Sequence, residues 1–361
     1  MLRYPPTTDG SLRVSSQADQ LLLQWSQQHL AIGTSTTVLH DRFGVLTYGL
    51  REPVQSITAY HSQEEALRRN ASGTLPATVS LLSDPQPVHQ AVLRLPKSLD
   101  LLEYYLAYLA THAQPGLLLA IGFMTRHFTP RLLTLAGKYA ATVTQTRAQK
   151  KARLLLLSDF KPTGEGAGPQ VLMNTQTYAG VEYRQYYGVF SAGHVDYATQ
   201  FLLDNWEEVL PASLTPKTIL DVACGNGVIG DQLVRRYPDA QLTATDDFIL
   251  AVASAKLNLP ADRSSVLYDH RLEQIAAGSQ ELVVTNPPFH FGHENNLDVS
   301  LALFHQVRRV LAPEGVFVVV ANRHLNYATH LGRSFRRVEG VVENEKYVVY
   351  RCTQEDQPKD L

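Results

Sequence analysis

A chain of 361 residues, 44% hydrophobic and 18% charged, has room for two domains of ordinary size and the balance of a globular protein, which excludes disordered and fibrous classes. Two cysteines, Cys224 and Cys352, exclude a disulfide framework and suit a reducing compartment. The net charge of −2 excludes a simple basic nucleic-acid binder, yet it averages two unlike halves: residues 1–180 hold 16 Lys+Arg and 11 Asp+Glu, and residues 181–361 hold 16 and 23.

The run Met1-Leu2-Arg3-Tyr4-Pro5-Pro6 has no apolar signal core, and no stretch reaches membrane-spanning length, so a cytoplasmic protein without membrane contact is expected. An amphipathic pattern predicts a helix over 16–29, then a strand over 37–40 and the turn Asp41-Arg42-Phe43-Gly44. A helix over 64–70 and a strand at 92–93 follow, leading into Arg94-Leu95-Pro96-Lys97. A long helix over 99–112 precedes strands over 116–121 and 154–157. Lys97 and the cluster Lys150, Lys151 and Arg153 are candidate phosphate contacts in the more basic half. The Gly- and Pro-rich stretch 161–169 reads as a loop, and 171–187 as a hairpin. The expected domains are 1–170 and 171–361, both of α/β type.

In the second half, Thr218-Ile219-Leu220-Asp221 is an apolar strand ending in acid, followed by Val222-Ala223-Cys224-Gly225-Asn226-Gly227 and a helical pattern. Glycines let a backbone approach a ligand closely, and a helix N-terminus aims free N–H groups at it. The spacing is neither the dinucleotide fingerprint nor a P-loop. It fits a ligand that carries an amino acid and a nucleoside without a pyrophosphate, as S-adenosylmethionine does. A second strand ends at Asp246, where a carboxylate can accept hydrogen bonds from both ribose hydroxyls, with Asp247 left as a helix cap. A third ends at Asp269, placed to hold an adenine amino group.

A fourth strand runs into Asn286-Pro287-Pro288-Phe289-His290. Two prolines stiffen the loop. The Asn286 side chain and the Pro287 carbonyl then form a fixed pair of acceptors for an amino group, and Phe289 offers a face for a heterocycle. A helix over 297–311 with Leu301, Phe304, Val307 and Leu311 on its buried stripe comes next, then a turn at Pro313-Glu314-Gly315 and a strand over 316–320. Arg323 and His324 stand at that strand's C-terminal end, where open α/β sheets bind ligands.

With these motifs in this order, residues 188–352 resemble class I S-adenosylmethionine-dependent methyltransferases acting on exocyclic amino nitrogens. Asn286 to His290 is similar to bacterial ribosomal RNA guanine-N2 methyltransferases. The loop Cys224 to Gly230 and the run Ala321 to Tyr327 resemble the large-subunit (23S) branch more than the small-subunit (16S) one. Val189-Phe190-Ser191 followed by Asp196 matches the segment preceding the cofactor loop in that family. Where the family carries Gly, this chain carries Ala223. The resemblance implies two tandem Rossmann-like, class I methyltransferase-like domains, the N-terminal one degenerate, non-catalytic and RNA-holding. It implies S-adenosylmethionine as cofactor and ribosomal RNA as partner. His290 is a candidate contact to substrate but not a general base, and with His293 it lacks the further ligands a metal needs. A duplicated chain has little need to dimerise, so a monomer is expected.

Three other readings stay open on the residues alone. One is an amino-group methyltransferase acting on release-factor glutamine, adenine N6 or cytosine N4. Another is a binding scaffold that uses the fold without chemistry. The third is a dehydrogenase, which the glycine spacing disfavours.

Overall fold

The structure, a computed structural model, describes residues 1–354 apart from positions 8, 163, 165, 167, 288, 289, 292, 293 and 296; of residues 290, 291, 294, 295 and 297 it describes the backbone alone. The chain forms two compact units, residues 1–173 with 186–188, and residues 174–185 with those from 189 onward.

The first unit runs α1 (Gln17–His29), β1 (Thr36–Leu39), α2 (Val45–Gly49), β2 (Val54–Thr58), α3 (His61–Asn70), β3 (Ala77–Ser80) and β4 (Val88–Arg94). It continues through α4 (Leu99–His112), β5 (Ala113–Met124), α5 (Pro130–Tyr139), β6 (Ala140–Gln145) and β7 (Ala152–Phe160). Seven strands lie in the order β3-β2-β1-β4-β5-β7-β6, parallel except for β7, which runs antiparallel to both neighbours. Every residue of β1 and β2 is buried, as a parallel sheet covered on both faces demands. One of those faces is packed by Ala18, Leu21, Leu22 and Trp25 of α1 against Val38, Val92, Ala120 and Leu154. Ser98 caps α4, accepting from the Leu101 N–H at 3.3 Å, and the helix buries Leu102, Tyr105, Leu106 and Leu109.

Beyond the hairpin β8 (Met173–Tyr178) and β9 (Val181–Tyr186), the second unit repeats the scheme. It holds α6 (Tyr197–Asp204), α7 (Trp206–Val209), β10 (Thr218–Val222), α8 (Val228–Arg236), β11 (Gln241–Asp246), α9 (Ile249–Asn258), β12 (Ser264–Tyr268) and β13 (Gln280–Thr285). A two-stranded ribbon, β14 (His290–Phe291) with β15 (Glu294–Asn295), leads to α10 (Leu297–Val310), β16 (Leu311–Asn322), α11 (Tyr327–Leu331), β17 (Arg337–Glu343) and β18 (Tyr347–Thr353). The main sheet has the order β12-β11-β10-β13-β16-β18-β17, with β18 antiparallel to both neighbours.

Alternate strand residues feed two cores, since successive side chains leave a strand on opposite faces. Ile219, Leu282, Val284, Val316 and Val318 pack with Leu202, Val209, Ile229 and Leu233 of α6, α7 and α8. Leu220, Val283, Phe317 and Val319 pack with Phe304, Val307 and Leu331 of α10 and α11. On α10, Phe304 and Val307 form the expected stripe, whereas Leu311 already begins β16. The turn expected at Pro313-Glu314-Gly315 lies inside that strand: Gln280 pairs with Leu311 and Leu282 with Val316, so the residues between bulge out. The architecture is thus the one the sequence predicts, two tandem Rossmann-like sheets.

Candidate active site

The site grows from the C-terminal ends of β10, β11 and β13, the edge at which open α/β sheets bind ligands. After β10 the chain must turn sharply into α8. Ala223 takes φ 58, Gly225 φ 56 and Gly227 φ 84, and Gly227 is the N-cap of α8. At Gly227 the left-handed conformation favours glycine, and the Cys224 carbonyl accepts from its N–H at 2.8 Å. Ala223 adopts the same region with a Cβ, which costs about 1 kcal/mol or somewhat more. A Cβ added at Gly225 would meet nothing within 4 Å among the described residues. Gly230 faces inward: a Cβ there would lie 3.1 Å from Asp221 Oδ2 and 2.8 Å from Leu242 Cδ2.

That inward contact serves Asp221, whose side chain is fully buried in β10. Its Oδ2 accepts from the Gly230 N–H at 2.9 Å, and its Oδ1 has no hydrogen-bond partner among the described residues. Burial pushes its carboxyl up to about 7; the Gly230 N–H pulls the other way, and the neighbouring Asp246 adds to the rise. Asp246, partly accessible at the end of β11, accepts from Gly225 N at 2.9 Å and from Phe248 N at 2.8 Å. Burial lifts it as well to about 7, against those two backbone donors. Cys224 is buried beside both acids, which keeps its thiol far above the ordinary range and inert as a nucleophile. Asp269 is also buried, and its two oxygens accept from Arg271 N at 2.7 Å and Gln274 N at 3.2 Å in its own loop.

At the end of β13, Asn286 is tied by its amide nitrogen. Nδ2 donates to Asp196 Oδ2 at 3.0 Å and to Thr199 Oγ1 at 2.9 Å. A flipped amide would set its oxygen against the Asp196 carboxylate, so chemistry fixes the orientation, with Oδ1 left as the acceptor. Asp196 is the N-cap of α6, and the same Oδ2 accepts from Ala198 N and Thr199 N at 3.0 and 3.2 Å. Pro287 is buried. Phe289 lies outside the described residues, as does the His290 side chain.

A polar network braces the glycine loop from the hairpin. Asn226 Nδ2 donates to Gln185 Oε1 at 2.9 Å, Gln185 Nε2 to the Val189 carbonyl at 3.1 Å, and Gln176 Nε2 to both Gln185 Oε1 and the Ser191 carbonyl. Sequence reasoning did not nominate Gln176, Gln185, Asn226, Asp196 or Thr199 as site residues. Two signals were readable for Asp196, its place in the segment that precedes the cofactor loop and an Asp three positions before Thr at a helix start, but neither announces a partner 90 residues away.

The basic candidates are on the surface. Arg323 is exposed at the end of β16 and donates to the Asn344 carbonyl at 3.0 Å; His324 beside it is exposed too. In the first unit Lys97 is exposed, Lys150 and Lys151 occupy the β6–β7 turn at φ 47 and 64, and Arg153 donates to Gln145 Oε1 at 3.3 Å.

The Asp221 Oδ1 without a partner among the described residues, the backbone at Gly225 and the partly exposed Asp246 carboxylate place acceptors along one edge of the sheet. Their chemistry suits a cationic amino acid joined to a nucleoside, and so fits S-adenosylmethionine.

Residues 1–162 match the RLMG N-terminal domain family and residues 180–351 the methyltransferase small domain family. The "Ribosomal RNA large subunit methyltransferase G" of Streptomyces coelicolor is 33% identical, over 98% of this chain and 97% of its own. That of Pseudomonas putida is 31% identical over 98% and 96%. Among solved structures, the T. thermophilus 16S rRNA N2 methyltransferase in complex with AdoMet and guanosine is similar with a TM-score of 0.78 at 22% identity, covering 98% of this chain and 97% of that one, a likeness of fold. With a third of its residues shared along nearly its whole length, this chain belongs to the ribosomal RNA large subunit methyltransferase G family.

Proposed function

We propose that this protein transfers a methyl group from S-adenosylmethionine to the exocyclic N2 of one guanine in large-subunit (23S) ribosomal RNA. The observation that carries the chemistry is the orientation of Asn286: both amide hydrogens are engaged within the protein, so the side chain offers an incoming group only an acceptor. That polarity suits an amino group and repels a carbonyl. Membership in the family supports ribosomal RNA of the large subunit as the substrate.

In this reading Asp246 accepts from the ribose hydroxyls, the Ala223 to Gly227 loop lies along the nucleoside, Asp221 faces the amino-acid end, and Asp269 lies toward the adenine. S-adenosylmethionine, when bound, supplies a methyl group already activated by its sulfonium. Asn286 Oδ1 and the Pro287 carbonyl would accept the two N–H bonds of the guanine amino group and hold its lone pair in line; the nitrogen would take the methyl as the methyl–sulfur bond breaks, and then shed one proton to solvent, leaving S-adenosylhomocysteine and N2-methylguanine. Phe289 is assigned to stack on the base. The chain's contribution is proximity and electrostatic placement, without a nucleophile or strong base of its own. The first unit holds RNA through Lys97, Lys150, Lys151 and Arg153, while His290, Arg323 and His324 contact it near the reacting base. Its working state is a cytoplasmic monomer.

Transfer of labelled methyl to deproteinised ribosomal RNA from a strain lacking the protein, with nucleoside analysis, tests the reading. The expected product is N2-methylguanosine in the large-subunit RNA. Label in small-subunit RNA would move the substrate, label in protein or as N6-methyladenosine would change the amino group, and no label in RNA or assembled subunits would leave a binding scaffold.

A further inference from the structure

We propose that Asp196 and Thr199, at the N-terminus of α6, are positioning residues that set Asn286 as an acceptor for the substrate amino group; the inference rests on the function proposed above and deepens it. A terminal amide has two nearly isosteric orientations, one presenting oxygen and the other presenting NH2, and only the first can grip an amino group. The choice is made by the two acceptors behind the amide, Asp196 Oδ2 at 3.0 Å and Thr199 Oγ1 at 2.9 Å. Thr199 is buried and Asp196 half-buried, so water competes poorly for either bond.

The carboxylate does more than orient. A hydrogen bond to an ionised acceptor is about twice as strong as a neutral one, and drawing density toward the amide nitrogen makes Oδ1 a better acceptor. As positive charge develops on the attacking nitrogen, the Oδ1 dipole and the Asp196 charge behind it lie on the favourable side. Both residues belong to one helical turn, because Asp196 Oδ2 also accepts from Ala198 N and Thr199 N. The cap therefore makes the tether rigid.

The first unit supplies an independent observation. In β-sheet register Leu93 sits opposite Leu39 as Thr285 sits opposite Val222, so Arg94 holds the place of Asn286. Arg94 Nε pairs with Asp19 Oδ1 at 2.8 Å, and Asp19 lies three residues after the Ser16 cap of α1, as Thr199 lies three after the Asp196 cap of α6. The same helix-to-strand tether exists in both units, but the second has the polarity that turns an acceptor outward.

The test uses the full chain, labelled S-adenosylmethionine and deproteinised large-subunit ribosomal RNA. Asp196→Ser keeps a competent helix cap yet is too short to reach Asn286, and Thr199→Val removes the acceptor at constant shape. Each is expected to lower kcat by about 10- to 100-fold, with cofactor Kd and Tm near wild type. Asp196→Asn retains an acceptor oxygen in place and is expected to keep kcat within about fivefold. If Asp196→Ser and Thr199→Val keep kcat while Asn286→Ala loses it, the positioning role is wrong and the functional reading stands. Loss of Tm and cofactor affinity in step with kcat would show a merely structural role and overturn the inference equally. Full activity in Asn286→Ala would overturn the functional reading and this inference together.

Discussion

Two sheets of identical order differ in three places, and those places separate a scaffold from an active site. After the first strand both units make a five-residue turn, His40 to Gly44 and Ala223 to Gly227; the first residue has φ 58 in each, and the closing glycines have φ 86 and 84 and begin the next helix. The third residue of the turn is Gly225 in one unit and Arg42 in the other, and the Arg42 guanidinium lies 4.0 Å from the centroid of the Tyr60 ring. His40 Nδ1 stands 3.3 Å from the Tyr105 hydroxyl. Where the second unit has glycine and no side chain, the first places side chains that pack against its own residues. By register Thr58 occupies the place of Asp246, and Arg94 that of Asn286. Even the bulge in β16 has a counterpart in β5, where Val88 pairs with Ala113 and Gln90 with Leu118. Backbone frame and chemical equipment are therefore separable: the first persists where the second is gone.

The sharpest contrast is between Asn286→Ala and Arg94→Ala. The first is expected to lower kcat by about 100-fold or more, since in the proposed function it deletes a transition-state acceptor. The second should leave kcat unchanged and destabilise the fold by about 1–3 kcal/mol, because buried Asp19 loses its ion-pair partner and keeps only its bonds from Ser16. Methyl-transfer rates and denaturant unfolding measure both, and equal kinetic effects would break the comparison.

A smaller effect concerns the buried acids. Asp221 has its carboxyl raised to about 7, so folding favours its protonated form. The stability this contributes is full below about pH 4 and is lost as pH rises through about 7. Asp221→Asn should therefore raise the apo stability most at pH 8 and scarcely at pH 4, by about 2–4 kcal/mol at most, while weakening cofactor binding. In the first unit Asp41 is likewise buried and raised to about 6, but Thr47 gives it both N–H and hydroxyl donors at 2.7 and 2.8 Å. A scan of Tm against pH for Asp221→Asn and Asp41→Asn should show the larger alkaline gain for the former.

The smallest effect is at the matched turn position. Ala223→Gly should stabilise by about 1 kcal/mol by relieving a left-handed alanine. His40→Gly should destabilise by more than that, because its ring is buried 5.8 Å from Tyr105 and 6.2 Å from Tyr60 between centroids. Calorimetric Tm values of opposite sign would confirm that one φ serves two ends.

Much of this was legible in the sequence, for local reasons. The apolar strands ending in Asp221, Asp246 and Thr285 announce themselves by β-branched runs that stop at acids or prolines, and the helix over 99–112 is uniform enough to read end to end. The strand β2, Val-Gln-Ser-Ile-Thr, was not legible, since three of its five residues are polar; it is fully buried because Gln55 Nε2 donates to Thr37 Oγ1 at 2.9 Å and Gln86 N donates back to Gln55 Oε1 at 3.1 Å. Nor was the Asn286 tether, which joins α6 to the end of β13 across 87 and 90 residues. Asp269 shows the reverse case: an acid at a strand end invites a ligand, yet its oxygens also hold its own loop.

The central claim is that one of two matched sheets holds S-adenosylmethionine. Isothermal titration of the full chain with S-adenosylmethionine tests it most directly. One site per chain is expected, abolished by Asp246→Ala and unaffected by Thr58→Ala. Two sites per chain, or a single site lost in Thr58→Ala and kept in Asp246→Ala, would contradict it.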